Sequence, residues 1–503
     1  MTELIHHLAI GFEAAISLTN LLYCFIGVSL GTLVGVLPGM GPVATVAMLL
    51  PITYALDPST ALIMLAGIYY GAQYGGSTTA ILVNIPGEAS AVVTCLDGHA
   101  LAGRGRAGAA LGVAALGSFI AGCFATMLIA AFAAPLTQVA FHFGPREYFS
   151  LMVLGLIGAI VLATGSVLKA VGMIFIGILL GTIGMDVNSG ALRYVFGVDE
   201  LMDGVDFVAL SMGLYGFAEI IRNLEDDGLT ERKAVSVGSM LPTKEELKES
   251  AGPIARGTVI GSLLGVLPGG GALLSAFASY TLEKKIAGDK ADPPFGKGNI
   301  RGVAGPESAN NGGAQTSFIP MLTLGIPSNA VMALMIGALM LHDIAPGPQV
   351  MTSNPSLFWG LIVSMWIGNL FLVILNVPLI GIWVKLLTVP YRLLYPAILT
   401  FCAIGVYSIN LNVFDIWMTI GFGILGVVFT KLGCEGAPLI LGFILGPMLE
   451  ENLRRALLLS RGDLMTFVEG PISGTILAIS LGLLLLVVLP SVRASREKAF
   501  QED

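Results

Sequence analysis

Apolar runs of about 17 to 25 residues recur from one end of this 503-residue chain to the other, and such a run is long enough for an α-helix to cross a bilayer. Charged residues make up only 12% of the chain, compared with roughly 25% in soluble globular proteins. The mean hydropathy is +0.86. The sequence therefore predicts an all-α polytopic membrane protein, embedded in lipid, with roughly 11 to 14 membrane segments.

A seven-residue motif that interrupts these runs occurs twice. It reads GVLPGMG at residues 35–41 and GVLPGGG at residues 265–271, so that Gly35 corresponds to Gly265. Proline and several glycines cannot continue an undisturbed helix, so a broken or re-entrant helix is expected at each copy. A second pair of motifs follows in the same order, at 74–87 and 311–328, with four more residues between the Gly-Gly pair and the proline in the second copy. The chain therefore contains an internal repeat.

The distribution of Lys and Arg among the loops indicates that the two repeats have opposite orientations. Residues 1–13 have no Lys or Arg, whereas Arg104 and Arg106 follow the second motif of the first repeat. In the second repeat the basic residues flank the first motif instead, and residues 341–355 have none. Basic loops face the cytoplasm, so this is the pattern of an inverted-topology repeat. We predict a first membrane repeat at 1–221, a polar linker at 222–250, a second membrane repeat at 251–490 and a polar tail at 491–503.

No motif of another functional class occurs in a supporting sequence context. The one match to Gly-x-Ser-x-Gly, at residues 27–31, lies inside an apolar run and not at the strand-to-helix turn of a nucleophile elbow, and there is no His-Glu-x-x-His zinc helix. We therefore predict that the protein is not an enzyme, with no cofactor and no nucleic-acid partner. The five cysteines stand singly, without the spacing of a disulfide framework or a structural zinc site. Broken helices alone are compatible with a passive channel, but paired interruptions at matching places in two halves are typical of a transporter's binding site.

The two helix breaks and the motifs that follow them are the candidate positions for substrate binding. Unpaired backbone amides at half-helix ends attract anions, and glycine lets a ligand approach the backbone closely. The second motifs add hydroxyl and amide groups within apolar surroundings. Such side chains either bind the ligand or link neighbouring helices, and the sequence leaves both roles open. The predicted substrate-binding residues are Gly39, Met40, Gly41, Ser77, Thr78, Thr79, Gly269, Gly270, Gly271, Asn310, Asn311, Gln315 and Thr316.

Two carboxylates, Glu88 and Glu307, lie beside the second motifs. Ionisable groups near membrane depth are usually functional, so we predict that they help to bind a coupling cation, either Na⁺ or H⁺. Glu88 is also compatible with a solvated loop charge, because it leads into a polar loop. The predicted coupling-ion residues are Asn84, Pro86, Glu88, Glu307, Pro327 and Asn329, and Na⁺ is the only metal ion that we consider.

Several long stretches resemble the large membrane subunit of the tripartite tricarboxylate transporters, the TctA family. The similarity extends over nearly the whole chain and is carried by residues 35–42, 74–88, 97–108, 305–311 and 324–327. The sequence departs from the family pattern at Gly305, at Gly312-Gly313 and at Ser328-Asn329. The last pair replaces a more usual Gly-Ser within the predicted site, so the identity of the substrate stays open.

The resemblance implies a multi-pass protein of the bacterial inner membrane that works with a small four-helix membrane subunit and a periplasmic solute-binding protein. Its implied substrates are citrate-like tricarboxylates or other organic acids, imported by symport with Na⁺ or H⁺. A stand-alone ion-coupled carboxylate symporter and a passive organic-anion channel are the alternatives. We expect alternating access and, by analogy only, prefer an elevator-like movement, although the sequence does not distinguish it from a rocking movement.

Overall fold

The computed structural model describes residues 2–37, 41–162, 166–186, 189–225, 237, 239–267, 271–288, 291–386 and 391–488. This part of the chain is a bundle of α-helices, which confirms the predicted all-α class. It contains one small antiparallel hairpin, in which β1 (Gly184–Met185) pairs with β2 (Leu192–Arg193) so that Gly184 lies opposite Arg193. The predicted tail at 491–503 and most of residues 226–238 in the predicted linker lie outside the described residues.

The first half of the chain begins with four helices that are separated by short turns. Ser17 and Asp57 cap two of these helices by accepting hydrogen bonds from backbone amides, as N-cap residues usually do. The helices of this half are α1 (Thr2–Ala15), α2 (Leu18–Gly35), α3 (Pro42–Thr53), α4 (Pro58–Val83), α5 (Val92–Thr94), α6 (Ala107–Ala140), α7 (Pro145–Leu162), α8 (Val167–Gly181), α9 (Phe207–Ser211) and α10 (Ala218–Glu225).

The second half of the chain starts with a helix whose first turn lies in the predicted linker. A capping box holds this turn, because Thr243 and Glu246 each accept a hydrogen bond from the other's backbone amide. The helices of this half are α11 (Lys244–Leu264), α12 (Gly271–Ala287), α13 (Arg301–Thr316), α14 (Phe318–Leu324), α15 (Ala330–Leu341), α16 (Gln349–Ser353), α17 (Pro355–Asn376), α18 (Ile380–Leu386), α19 (Tyr391–Asn410), α20 (Val413–Lys431), α21 (Gly436–Leu459), α22 (Thr466–Glu469) and α23 (Pro471–Val488).

Four helical stretches of the described chain are long and apolar enough to cross a membrane by length and composition: Leu18–Gly35, Ala102–Ala140, Pro355–Asn376 and Val413–Lys431. Helix α4 has 26 residues, but its Gly, Gln, Ser, Thr and Tyr residues lower its hydropathy. The membrane character of the chain is therefore clear, and the expected count of 11 to 14 segments stays a prediction.

The helix breaks expected at the two seven-residue motifs, here called the heptads (residues 35–41 and 265–271), are present. Helix α2 ends at Gly35 and α3 begins at Pro42, and α11 ends at Leu264 while α12 begins at Gly271. Pro42 occupies the first turn of its helix, where the missing N–H costs no hydrogen bond. Each heptad therefore separates two helices.

Helices α2 and α4 pack along a row of glycines, and so do α11 and α13. The glycines are spaced one turn apart, and each faces a backbone carbonyl so closely that an added Cβ would overlap it. Small residues allow membrane helices this close approach. The contacts are Gly27 with Met64, Gly31 with Ile68 and Gly35 with Ala72 in the first pair, and Gly257 with Gly305, Gly261 with Ala309 and Gly265 with Gly313 in the second. The last glycine of each row, Gly35 or Gly265, is also the first residue of a heptad. The two rows are therefore separated by the same number of residues as the two heptads.

These contacts also correct how the second motifs correspond. The carbonyl partners of the two heptad glycines are Ala72 and Gly313. When Ala72 is aligned with Gly313, Asn84 is aligned with Gly325. Asn84 and Gly325 both have a left-handed backbone (φ 57° and 70°), at the ends of α4 and α14. Gly76, by contrast, lies about one helical turn after Ala72. Gly313 therefore corresponds by its contacts to Ala72 and not to Gly76.

We expect Gly31→Ala to destabilise the protein by about 1–3 kcal/mol, the range typical of overpacking, because the new methyl group would overlap the Ile68 carbonyl. The measurement is the thermal unfolding temperature of the detergent-solubilised protein. Gly172→Ala on α8 is the matched control, because no heavy atom lies within 4 Å of a Cβ placed there. Equal unfolding temperatures for the two variants would contradict the close contact between α2 and α4.

Candidate functional site

Helices α4 and α13 are the two most deeply buried helices that carry polar residues. Residues 60–82 of α4 and residues 302–316 of α13 are all buried. Polar side chains on these helices therefore face other protein groups and not lipid. Polar groups enclosed in an apolar bundle are candidates for binding or ion-coupling roles.

Glu307 of α13 is a carboxylate that forms hydrogen bonds with residues of the other half of the chain. Its side chain has an exposed fraction of 0%. Oε2 accepts a hydrogen bond from the Ser77 hydroxyl of α4 (2.6 Å), and Oε1 accepts one from the Thr94 hydroxyl of α5 (2.5 Å). Two residues of the first half thus hold a carboxylate of the second half.

Asn311 lies one turn after Glu307 and extends this network. Its Nδ2 donates to Ser118 Oγ (2.8 Å), to the Glu307 backbone carbonyl (3.1 Å) and to Asn310 Oδ1 (2.5 Å). The Asn310 amide lies near the Glu307 carboxyl, and its Nδ2 is buried without a hydrogen-bond partner among the described residues. Asn310 therefore adds an amide group to the surroundings of the Glu307 carboxyl.

A small cavity of about 10 Å³, with room for about one water molecule, lies beside this network, where α4, α6, α13 and α17 meet. Hydroxyl and amide groups line one side, so a carboxylate ligand would find neutral hydrogen-bond donors there. The polar lining residues are Tyr74, Ser77, Thr78, Ser118, Glu307 and Asn376. The apolar side is formed by Leu111, Ala114 and Ala115. No Lys, Arg or His side chain is among these described lining residues.

Other predicted substrate-binding residues mainly join helices. Thr79 Oγ1 donates to the Val36 carbonyl (3.0 Å), and Thr316 Oγ1 lies 3.5 Å from the Gly261 carbonyl. Gln315 Oε1 accepts a weak hydrogen bond from Thr126 of α6 (3.5 Å). The interhelical role that the sequence left open for such residues is thus present at these positions.

The predicted coupling-ion residues other than Glu307 occupy the turns after α4 and α14. Glu88 is half-buried and accepts a hydrogen bond from Ser90 (2.5 Å). Asn329 caps α15 by accepting from the Met332 amide (3.0 Å), and its side chain lies beside the Tyr69 hydroxyl. The remaining three are exposed Asn84, half-buried Pro86 and buried Pro327. Their proposed role in ion binding stays a prediction.

The helix breaks themselves are only partly described. Gly41 is the N-cap residue of α3, and Gly271 is the first residue of α12. The predicted substrate-binding residues Gly39, Met40, Gly269 and Gly270 lie outside the described residues. In the described part of the chain, no group of three or more His, Cys, Asp or Glu side chains is arranged to hold a metal ion.

The Asp97 carboxylate also connects the two halves of the chain, and the sequence did not indicate this role. Oδ1 of this fully buried residue accepts hydrogen bonds from the backbone amides of Gly296 (2.9 Å), Gly298 (2.9 Å) and Asn299 (2.7 Å). Oδ2 accepts one from the Tyr280 hydroxyl (3.0 Å). Asp97 thus fixes the loop that leads into α13.

An ion pair joins the two halves at a second place, between the residue before α6 and the first turn of α11. Arg106 binds both carboxylate oxygens of Glu246 at 2.5 Å. Burial raises the pKa of Glu246, but hydrogen bonds from Arg106 and Thr243 outweigh this effect and hold the pKa below its ordinary value. The pair therefore stays charged at neutral pH.

Sequence reasoning missed Tyr74, Thr94, Ser118 and Asn376 as members of the site. Ser118 had a usable signal, because it is a polar residue within the apolar run of α6. Asn376 is the last residue of α17, so its sequence position indicates a helix end and not a binding residue. Thr94 has no such signal, because its position depends on how α5 folds back against α13.

The chain is similar in sequence to one family of transporters and to two bacterial proteins. The sequence model of a family described as the tripartite tricarboxylate transporter TctA family matches residues 21–441. One relative from Agrobacterium vitis, described as an uncharacterized 52.8 kDa protein in the TAR-I ttuC′ 3′ region, is 58% identical over the full length of both chains. A second from the same organism, an uncharacterized protein in the TAR-II ttuC′ 3′ region, is 61% identical over 48% of this chain and all of its own length. No solved structure matches the chain significantly.

Proposed function

Since the chain belongs to the tripartite tricarboxylate transporter TctA family, we propose that it is the large membrane subunit of a secondary transporter that imports tricarboxylates or related organic acids. The observation that carries this proposal is the cavity between the halves, which places four hydroxyl groups and one amide beside a buried carboxylate. Neutral donors suit a ligand rich in carboxylate oxygens, and because the cavity has room for about one water molecule, it has to widen during the transport cycle to admit such a ligand.

The proposed architecture is an inverted-topology repeat in a bacterial inner membrane. Two observations support it: the opposite loop charges of the two halves, and the two glycine rows, in which Gly31 corresponds to Gly261 and Gly35 to Gly265. In such a repeat, a rigid-body movement of one part against the other exposes a central site to each side in turn. The interface between α4 and α13 is where that site would lie.

The proposed partners are a small membrane subunit and a periplasmic solute-binding protein that delivers the organic acid. Membership in a family of tripartite transporters supports both. The driving force is symport with a cation, Na⁺ or H⁺, since the site contains a buried carboxylate that a cation would neutralise. No cofactor takes part in this proposal.

Uptake of radiolabelled citrate into proteoliposomes tests the proposal. The vesicles contain both membrane subunits and are assayed with and without the binding protein, under an imposed Na⁺ or H⁺ gradient. We expect uptake that needs the binding protein and one gradient. Uptake without the binding protein would indicate a stand-alone symporter, and flux without a gradient would indicate a channel. Uptake of another organic acid in place of citrate would correct the substrate alone.

A further inference from the structure

Glu307 is a buried carboxylate that forms no ion pair with any residue in the described part of the chain. Both of its oxygens accept hydrogen bonds from neutral hydroxyls, at 2.6 Å from Ser77 and 2.5 Å from Thr94. Among the described residues, none of the ion pairs includes Glu307. A lone ionised carboxylate in an apolar interior is costly, so such a group usually takes up a proton or another cation.

The titratable groups that face α13 from its neighbours do not supply a positive charge. Tyr74 of α4, Glu88 of the following loop and Cys95 of the turn after α5 interact with Glu307, and none of them is basic. On the side of α11 and α12, Arg256 is nearest, but both of its bonds go to the buried Glu283, at 2.6 and 2.7 Å.

Asp97 lies at the first turn of α13 and is held by backbone amides. On α6, the nearest titratable group is Cys123, which interacts with Tyr74. The segment Cys95–His99 also packs against α13, and His99 Nδ1 lies 3.1 Å from the Ile81 carbonyl. No basic side chain therefore forms an ion pair with Glu307 in the described part of the chain.

The hydrogen-bond geometry can accommodate a proton without movement. The Ser77 hydroxyl lies 2.6 Å from Glu307 Oε2 and 3.2 Å from the Gln73 backbone carbonyl. When Glu307 is ionised, Ser77 donates to the carboxylate. When Glu307 is protonated, its O–H can donate to Ser77, and Ser77 then donates to the Gln73 carbonyl.

The position of Glu307 on the cavity wall links its charge to substrate binding. An organic acid in the cavity lined by Ser77, Ser118 and Glu307 would bring a second negative charge beside the first. In a low-dielectric interior two adjacent like charges repel strongly. Protonation of Glu307 removes one of them, so the proton and the organic anion each favour the binding of the other.

From this geometry, and resting on the proposed function, we propose that Glu307 carries the coupling proton of an H⁺–organic acid symporter. One proton from the outside converts the carboxylate to a neutral carboxyl, the anion enters the cavity, and both are released to the cytoplasm, which restores the carboxylate. If Glu307 loses its proton before the anion binds, its negative charge repels the anion from the cavity. The coupling is therefore electrostatic and local.

The test uses proteoliposomes with both membrane subunits, the binding protein and radiolabelled citrate. Glu307→Gln mimics the protonated carboxyl, and the surface variant Glu451→Gln is the control, since Glu451 pairs only with Arg455 one turn away among the described residues. We expect Glu307→Gln to exchange citrate across the membrane without a gradient. It should fail to accumulate citrate, with an inside-to-outside ratio of about 1 under an inward H⁺ gradient. The control should accumulate it as the unaltered protein does.

A pH series separates proton coupling from a structural role. Exchange by the unaltered protein should fall by up to about tenfold per pH unit on the alkaline side, as expected for one linked proton, whereas exchange by Glu307→Gln should not change. If the Gln variant does not assemble, Glu307→Asp is used, and it should keep accumulation with a shifted pH profile. Normal accumulation by Glu307→Gln, or accumulation driven by Na⁺ alone, would overturn the assignment. If the unaltered protein transports neither citrate nor any other organic acid tested, the proposed function fails and this inference fails with it.

Discussion

Ala115→Trp is expected to abolish uptake of the organic acid while the protein still assembles in the membrane. Ala115 lies on the cavity wall, is 5% exposed, and its carbonyl accepts a hydrogen bond from the Tyr74 hydroxyl at 3.4 Å. An indole at this position occupies the space into which the cavity has to widen for the ligand. Uptake into proteoliposomes should fall to the background level, at least a hundredfold below that of the unaltered protein.

The next residue on the same helix provides the control. Leu116 is 38% exposed, so Leu116→Trp puts the same indole on the outer surface of α6. This variant should transport normally. Ala115→Leu fills less of the cavity and should give an intermediate rate. Size-exclusion profiles of all three variants show whether they assemble, and full uptake by an assembled Ala115→Trp would contradict the assignment of the cavity.

Asp97→Ala is expected to destabilise the protein severely. Asp97 accepts hydrogen bonds from three backbone amides and from Tyr280, and all four donors would lose their acceptor. An orphaned buried donor costs about 1–3 kcal/mol, so we expect a loss of at least about 3 kcal/mol. The measurements are the thermal unfolding temperature in detergent and the rate of proteolysis in residues 284–300.

Asp97→Asn removes the negative charge of Asp97 but keeps a hydrogen-bond acceptor, so it distinguishes the two contributions. The amide oxygen can still accept from Gly296, Gly298 and Asn299, so we expect a smaller loss of stability than for Asp97→Ala. Asp199→Ala, at an exposed position, should leave both measurements unchanged. Unaltered proteolysis of residues 284–300 in Asp97→Ala would show that Asp97 does not fix this loop.

The membrane class and the family were predictable from the sequence because they depend on patterns along the chain. Hydropathy and the low content of charged residues indicated a helical membrane protein, which the helical bundle confirms. The motifs at 35–42 and 74–88 indicated the family, which the match over residues 21–441 confirms. The position of the helix breaks was also predictable, since proline and glycine act locally on the backbone.

The composition of the site was only partly predictable, because it depends on which helices meet. Ser77 and Glu307 were both singled out, but their direct contact needs α4 and α13 to cross at this point. Thr94 and Ser118 come from segments that the motifs do not include. The register of the second motifs was missed by one turn, because the Gly-Gly pairs look equivalent in sequence while the helix contacts make Gly313 the counterpart of Ala72.

The central claim is that one enclosed site between the two halves binds the transported acid. The most direct measurement is a cryo-electron microscopy structure of the two membrane subunits at saturating citrate and low pH. The account predicts density for the acid in the cavity, within hydrogen-bond distance of Ser77, Ser118 and Asn376. Density for the acid at another place, with this cavity empty at saturating citrate, would contradict the account.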